Sequence, residues 1–538
     1  MYYKIIFIFI FILPINCFAR ISPYLLFEDL HQRMNTINLN TDGKFGETYK
    51  SYEQLVSIID DFTKFNNDFT NKVLIGLRQD EVLRGLQLTL LHKSVKYYLM
   101  MSSKMITLAE QIEPEDLREI DDTFYVGSEE KKRKTLLWYA IHMKNLDHFL
   151  KTYSTYLHNK KLRLLLNDAD SAFELKSDEL KNYIATMISK KSVKIYQRAT
   201  RGFNLVNDYG EHNQLKESIY TMYSTSLISE TGKKGLYKIR KDLKKGYRKD
   251  KWSKVGRFLL HHASGFFGNR MGAIKFRKGF LLNNSKLNTQ ITKILRPLDI
   301  ITEKTPFILT DKFIPGHFGH NAVWLGTKDQ LIKTGMWDHP RIIPLRGMIE
   351  KGYSIIETDR SGTHLKNIDK FMNVDWFAIM RLQKTFVDEN YLKNTYEAAL
   401  SQLGKLYDFN FDVETTHKLV CSELLYQSFG EVVWPTERYL GRTTISPDNI
   451  ASLALYENTP MSLVYYVRGD ENKNVIDLTE DRWAIDLGFR KNIDLSTDAL
   501  SYYERPYKKC VNIIKSNNKR KVCTTTYKHY VYKPLSNY

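Results

Sequence analysis

Residues 415–430, T-T-H-K-L-V-C-S-E-L-L-Y-Q-S-F-G, set one cysteine, Cys421, at the opening of a run with helical apolar spacing. About a hundred residues earlier, residues 316–326, G-H-F-G-H-N-A-V-W-L-G, read as a strand that His320 opens and Gly326 ends. A thiol with its ordinary pKa of about 8.5 is mostly protonated at neutral pH, so a catalytic cysteine needs an electropositive setting. With Thr416 as the helix cap, Cys421 falls in the first turns, where unpaired N–H groups and the helix dipole favour an anion. A free cysteine is equally at home as a small apolar core residue, and the helix alone does not separate the two readings.

The rest of the cysteine set bears on that choice. The N-terminus carries Lys4, an apolar run from Ile5 to Ile15 and a small residue, Ala19, in N-C-F-A. The run is shorter than the ~20 residues a membrane-spanning helix needs, so residues 1–19 are expected to be a cleaved secretory signal peptide and the protein secreted or periplasmic. Cys17 follows Asn16, larger than lipid-attachment processing prefers, and a lipoprotein is not expected. Three cysteines then remain. Cys510 and Cys523 bracket a short basic loop, V-N-I-I-K-S-N-N-K-R-K-V, and are the expected disulfide, which leaves Cys421 unpaired. A free thiol is a liability in an oxidising compartment, which favours a working role.

A chain of 538 residues is too long for one ordinary core. Residues 20–230 are expected to be an all-α helical bundle, with few breakers and apolar residues at three and four; Leu137, Ala140 and Ile141 mark one stripe. His142 and His148 in that stretch are expected to be structural. Residues 231–290 form a basic connector. Between Lys233 and Lys278 stand sixteen Lys or Arg against only Asp242 and Asp250, a block that suits an anionic membrane or cell-wall surface and no specific nucleic acid. Its aromatic, glycine-broken part from Trp252 could face a membrane or pack as a linker. From residue 291 to 470 short β-rich runs, D-I-I-T, F-I-L-T, H-N-A-V-W-L-G, R-I-I-P-L, Y-S-I-I-E-T and M-S-L-V-Y-Y-V, mix with helices without βαβ alternation, which predicts an α+β fold. Residues 471–538 read as an irregular, tyrosine-rich, disulfide-closed extension.

In Y-S-I-I-E-T, Tyr353, Ile355 and Glu357 share a face by the period of two, which sets a carboxylate among apolar neighbours. Such a carboxylate can orient an imidazole, the third role of a triad. His317, in the glycine-flanked loop P-G-H-F-G, is less constrained than His320, and His417 is a rival base at i−4 from Cys421.

The order of a histidine opening a strand, a glutamate on a later strand, Y-D in G-K-L-Y-D-F-N-F and then C-S-E-L resembles the circularly permuted papain-like amidases of the NlpC superfamily. The resemblance covers roughly Lys293 to Asp470. It implies a permuted papain-like catalytic domain after the helical bundle, with Cys421 as nucleophile, His320 as base and Glu357 as the orienting group. Tyr407 and Asp408 match the family's Y-D pair, with Tyr407 lining the site and His317 a second candidate there. Leu298, where glycine is common, and Asn321, where an apolar residue is usual, depart from the pattern. The implied function is an exported, metal-independent cysteine hydrolase that cleaves an amide through a thioester, in cell-wall peptide or protein. A lipid acyltransferase, esterase or thioesterase and a non-catalytic envelope-binding protein are the alternatives. No phosphate loop, dinucleotide or zinc motif is present and no cofactor is expected.

Overall fold

In the computed structural model the described residues are 23–534, without 38, 40–43, 127, 154–155, 207–209, 251–275, 309–315, 409–411, 440–441, 493–501 and 516–517. The expected signal peptide, Cys17 and the aromatic stretch 252–275 lie outside them, as does part of F-I-L-T. Among the described residues no helix is long and apolar enough to cross a membrane.

The N-terminal region is helical. Its longest helices are α1 (Phe45–Arg78), α2 (Gly85–Glu110) and α3 (Glu129–Thr152). From Thr135 on, helix α3 is buried nearly all round, Leu137, Ala140 and Ile141 included, and it packs against both others. His142 and His148 belong to this core, and burial holds their rings neutral by pushing the pKa down to about 4 and about 3. Residues 233–250 of the basic block are also helical. Leu236 and Leu243 are buried there, and Asp250 meets Arg163 at 2.8 Å. One of the two acids in the block therefore anchors it to the helical region.

The C-terminal region is built on a seven-stranded antiparallel sheet of order β11-β10-β5-β1-β2-β3-β4. Its strands are β1 (Ile300–Lys304), β2 (His320–Trp324), β3 (Tyr353–Asp359), β4 (Gly362–Asn367), β5 (Trp376–Leu382), β10 (Met461–Gly469) and β11 (Val475–Asp477). Two short pairs, β6 (Leu406–Tyr407) with β7 (Lys418–Leu419) and β8 (Glu437–Tyr439) with β9 (Arg442–Thr444), stand outside it. The sheet buries both faces. Ile301, Ala322, Trp324, Ile355, Phe377 and Ile379 pack against helix α4 (Ser285–Ile294), while Ile300, Val323, Ile356 and Met380 join the core that continues into the helical region.

Helix α6 (Cys421–Ser428), which follows helix α5 (Glu389–Ser401), is the bridge between the two regions. It packs on β2 and β3 and also on α2. A Cβ on Gly85 would stand 1.9 Å from the Tyr426 carbonyl oxygen, so only glycine allows this approach, and the Tyr426 hydroxyl donates to the Leu83 carbonyl at 2.9 Å.

Three expectations are corrected. R-I-I-P-L is a 3-10 turn at Ile343–Leu345, where Pro344 has no N–H to give to a ladder. The tail is not irregular. Strands β12 (Arg490–Asn492), β13 (Tyr502–Lys515) and β14 (Asn518–His529) form a second antiparallel sheet. Cys510 and Cys523 are disulfide-bonded, directly opposite each other within the β13–β14 ladder, so the expected loop between them gives way to strand as far as Lys515 and again from Asn518.

Candidate active site

Helix α6 begins at Cys421, four residues later than a Thr416 cap would start it. The reason is the β6–β7 bridge: Lys418 and Leu419 pair with Leu406 and Tyr407 and stay extended up to Val420. The side chain of Glu423 closes the helix start by accepting from the Val420 N–H at 2.9 Å. Cys421 is thus the first helical residue, where the backbone N–H groups have no intrahelical partner. It is 7 % exposed and is the one free cysteine among the described residues.

His320 opens β2 from a loop that is tightly held. Asp448 accepts from the His317 and Phe318 N–H groups, both at 2.8 Å. Gly316 has φ +114°, and a Cβ there would lie 2.3 Å from the same carboxylate, so glycine is required on both counts. Ala322 stands opposite Glu357 across β2 and β3, which makes His320 its diagonal neighbour on the same face. His320 Nε2 meets Glu357 Oε2 at 3.1 Å. Burial opposes charge on this ring. The charge of Cys421 and a side-chain hydrogen bond with it, together with Glu357, outweigh burial and raise the His320 pKa well above its ordinary value. With Nε2 on Glu357, Nδ1 is the nitrogen that can exchange a proton with the thiol.

Two residues that the sequence reading missed complete the surroundings of Glu357. His364, directly across from it on β4, approaches Oε1 with Nε2 at 3.3 Å, and Lys366 Nζ is 2.6 Å from the same oxygen. Glu357 is 1 % exposed, and burial alone would keep it neutral. The His320 and His364 hydrogen bonds and the Lys366 charge overcome that and hold it below the usual carboxylate range. His364 rises in turn, chiefly through its bond to Glu357. The period-two pattern of T-H-L-K was the available signal, since it puts His364 and Lys366 on one face of an edge strand. Glu357, Asp359 and His364 offer a metal-like cluster, but the Lys366 ammonium already stands against the shared Glu357 oxygen.

The structure brings Cys421, His320, Glu357 and Tyr407 together. Burial first and the Cys421 charge second raise the Tyr407 hydroxyl pKa. Beneath them lie two buried carboxylates, Asp408 and Glu423, and burial together with the Asp408 charge pushes Glu423 well above the carboxylate range. His317 is not part of this group. Its Nε2 is 3.2 Å from the Tyr466 hydroxyl, its ring packs edge-on to Trp376, and burial lowers its pKa to about 4. His417 precedes the helix and so shares no helical face with Cys421; the charges around its ring are Asp168, Asp170, Lys418 and Lys405. The two departures from the family pattern also have places. Asn321 is fully buried and donates to Thr302 Oγ1 at 2.8 Å, and Leu298 takes φ +64°, the left-handed conformation in which glycine is the natural choice.

A cysteine opening a helix, beside a strand-borne histidine whose far nitrogen rests on a carboxylate, is the arrangement of a cysteine-type hydrolase. Here the histidine strand precedes the cysteine helix in the chain. Residues 295–472, about a third of the chain, match the family described as permuted papain-like amidase enzyme, YaeF/YiiX, C92 family. The resemblance read from the sequence is borne out over that stretch, and the family implies an amidase or peptidase of the cysteine type. No curated protein and no solved structure matches the chain.

Proposed function

We propose that this chain is an exported cysteine hydrolase that cleaves an amide bond through a thioester, in a cell-wall peptide or a protein. The observation that carries the reading is the setting of His320, with Glu357 on Nε2 at 3.1 Å and the helix that Cys421 opens packed on its strand. Thiolate attack by Cys421 on the carbonyl carbon forms the C–S bond, and the imidazolium of His320 gives its proton to the leaving amine. Water, deprotonated by His320, then adds to the thioester, releases the acid and restores the thiol. The first-turn N–H groups of α6 face charge that develops on the carbonyl oxygen, a contribution of about 3 kcal/mol per donor. Glu357 orients the ring and balances its positive form.

Lys366, whose ammonium takes the place a cation would need at Glu357, supports metal-independent chemistry. The N-terminal pattern of Lys4, an apolar run and Ala19 supports export, and the Lys233 to Lys278 block supports contact with an anionic envelope surface.

Trapping the acyl-enzyme tests the proposal. With an activated amide or p-nitrophenyl ester at low pH, mass spectrometry should find the acyl group on the Cys421 peptide, none in Cys421→Ser, and turnover unchanged by EDTA. Turnover that survives Cys421→Ser, or that zinc restores after chelation, would contradict it.

A further inference from the structure

Lys405 is a charged residue with no access to solvent, and it touches three parts of the molecule at once. Its Nζ is 2.9 Å from Asp170 Oδ1, with the two side chains 0 % and 1 % exposed. The same ammonium donates to the Thr416 carbonyl at 2.6 Å. Its own carbonyl accepts from the Thr363 N–H at 2.8 Å, while Gly404 N–H donates to the Thr363 carbonyl at 2.9 Å. These partners are not scattered. Asp170 belongs to the helical region, where its Oδ1 also accepts from Ala172 N–H at 3.0 Å and its Oδ2 lies 3.5 Å from His92 Nδ1 of α2. Thr363 adjoins His364 on the strand that flanks Glu357. Thr416 starts the segment that runs through β7 into Cys421, and Lys405 itself leads into Tyr407 and β6.

We propose that Asp170 and Lys405 are positioning residues of the active site, so that the helical region is a working part of the catalytic centre and not a separate module. The inference rests on the thiol reading of Cys421 given above. A lysine that is fully enclosed is held by what neutralises it, and the neutralising group here comes from the other region of the chain. The lysine cannot shift toward Asp170 without dragging Thr416, nor toward Thr416 without leaving the acid. The two ends of the β6–β7 segment are therefore fixed relative to β4. That fixes the entry of α6, and with it the distance from Cys421 to His320, which catalysis needs to well under 1 Å.

The test uses the full mature chain, with turnover of the acyl substrate and the pH profile of Cys421 alkylation by iodoacetamide as readouts. Two variants keep the charge balanced and so guard against simple misfolding: the double Asp170→Asn/Lys405→Met, which removes both charges, and Asp170→Glu, which keeps them and moves the carboxylate by one methylene. Each should lower kcat about tenfold to a hundredfold with little change in KM and move the alkylation profile toward that of an ordinary thiol. A merely structural pair would lower the unfolding temperature and leave the alkylation profile where it was. A wild-type profile and kcat in either variant overturns the proposal. An ordinary thiol titration in the wild-type protein overturns the reading of Cys421 itself, and the positioning role with it.

Discussion

Two glutamates flank the proposed catalytic corner, equally buried at 1 % exposure, and their carboxyl groups move in opposite directions. Glu357 has His320, His364 and Lys366 around it and is held below the carboxylate range; Glu423 has Asp408 beside it and is driven well above. Burial penalises charge at both, so the neighbours decide. The first is built to remain an anion and can steady an imidazolium. The second is biased toward its neutral form by burial and the Asp408 charge, and it receives the Val420 N–H at the start of α6.

The contrast is open to direct attack. The largest effect is expected from Glu357→Gln, which keeps the shape and removes the charge: kcat should fall about 10²- to 10⁴-fold, measured by steady-state hydrolysis. Removing the cations instead, with His364→Ala and Lys366→Met together, should cost about tenfold in kcat and raise the Glu357 pKa, moving the acid limb of the kcat profile upward by about one pH unit. The sign also shows in stability. Glu357 is depressed, so its contribution is present above its ordinary value of 4.5 and is lost as pH falls through its lower folded value. His364 is raised, so its contribution is full below 6.5 and is lost as pH rises through its folded value; denaturation of His364→Ala and wild type should differ most in mild acid and converge at alkaline pH. The smallest effect belongs to Glu423→Gln. An amide replaces a group that is already neutral and still accepts from Val420, so kcat should stay within about threefold and stability within about 1 kcal/mol. A loss as large as that of Glu357→Gln would show that Glu423 is ionised and that the contrast is wrong.

Much of this corner was legible in the sequence because its signals are local. Strand β2 is fixed by His320 to Gly326, and β3 by the alternation that exposes Glu357 as an oddity on an apolar face. The α+β class followed from strands without βαβ spacing. What escaped depends on contacts far apart in the chain. His364 and Lys366 matter only because β4 folds back on β3, and Asp170 matters only because the helical region closes over Lys405. The start of α6 was misplaced because Thr416 has the chemistry of a cap, while the β6–β7 bridge that keeps the next residues extended spans a dozen positions. The β13–β14 ribbon was hidden for another reason: its lysines, threonines and asparagines resemble loop composition, and only the register through Cys510 and Cys523 reveals the ladder.

The most direct test of the central claim is the rate of Cys421 alkylation by iodoacetamide across pH, followed by mass spectrometry in wild type and His320→Ala. A thiolate paired with His320 predicts fast labelling well below pH 8 in wild type, and slow labelling with an ordinary thiol titration near 8.5 in the variant. Slow labelling in both, with the same titration, would contradict the account and make Cys421 a core residue.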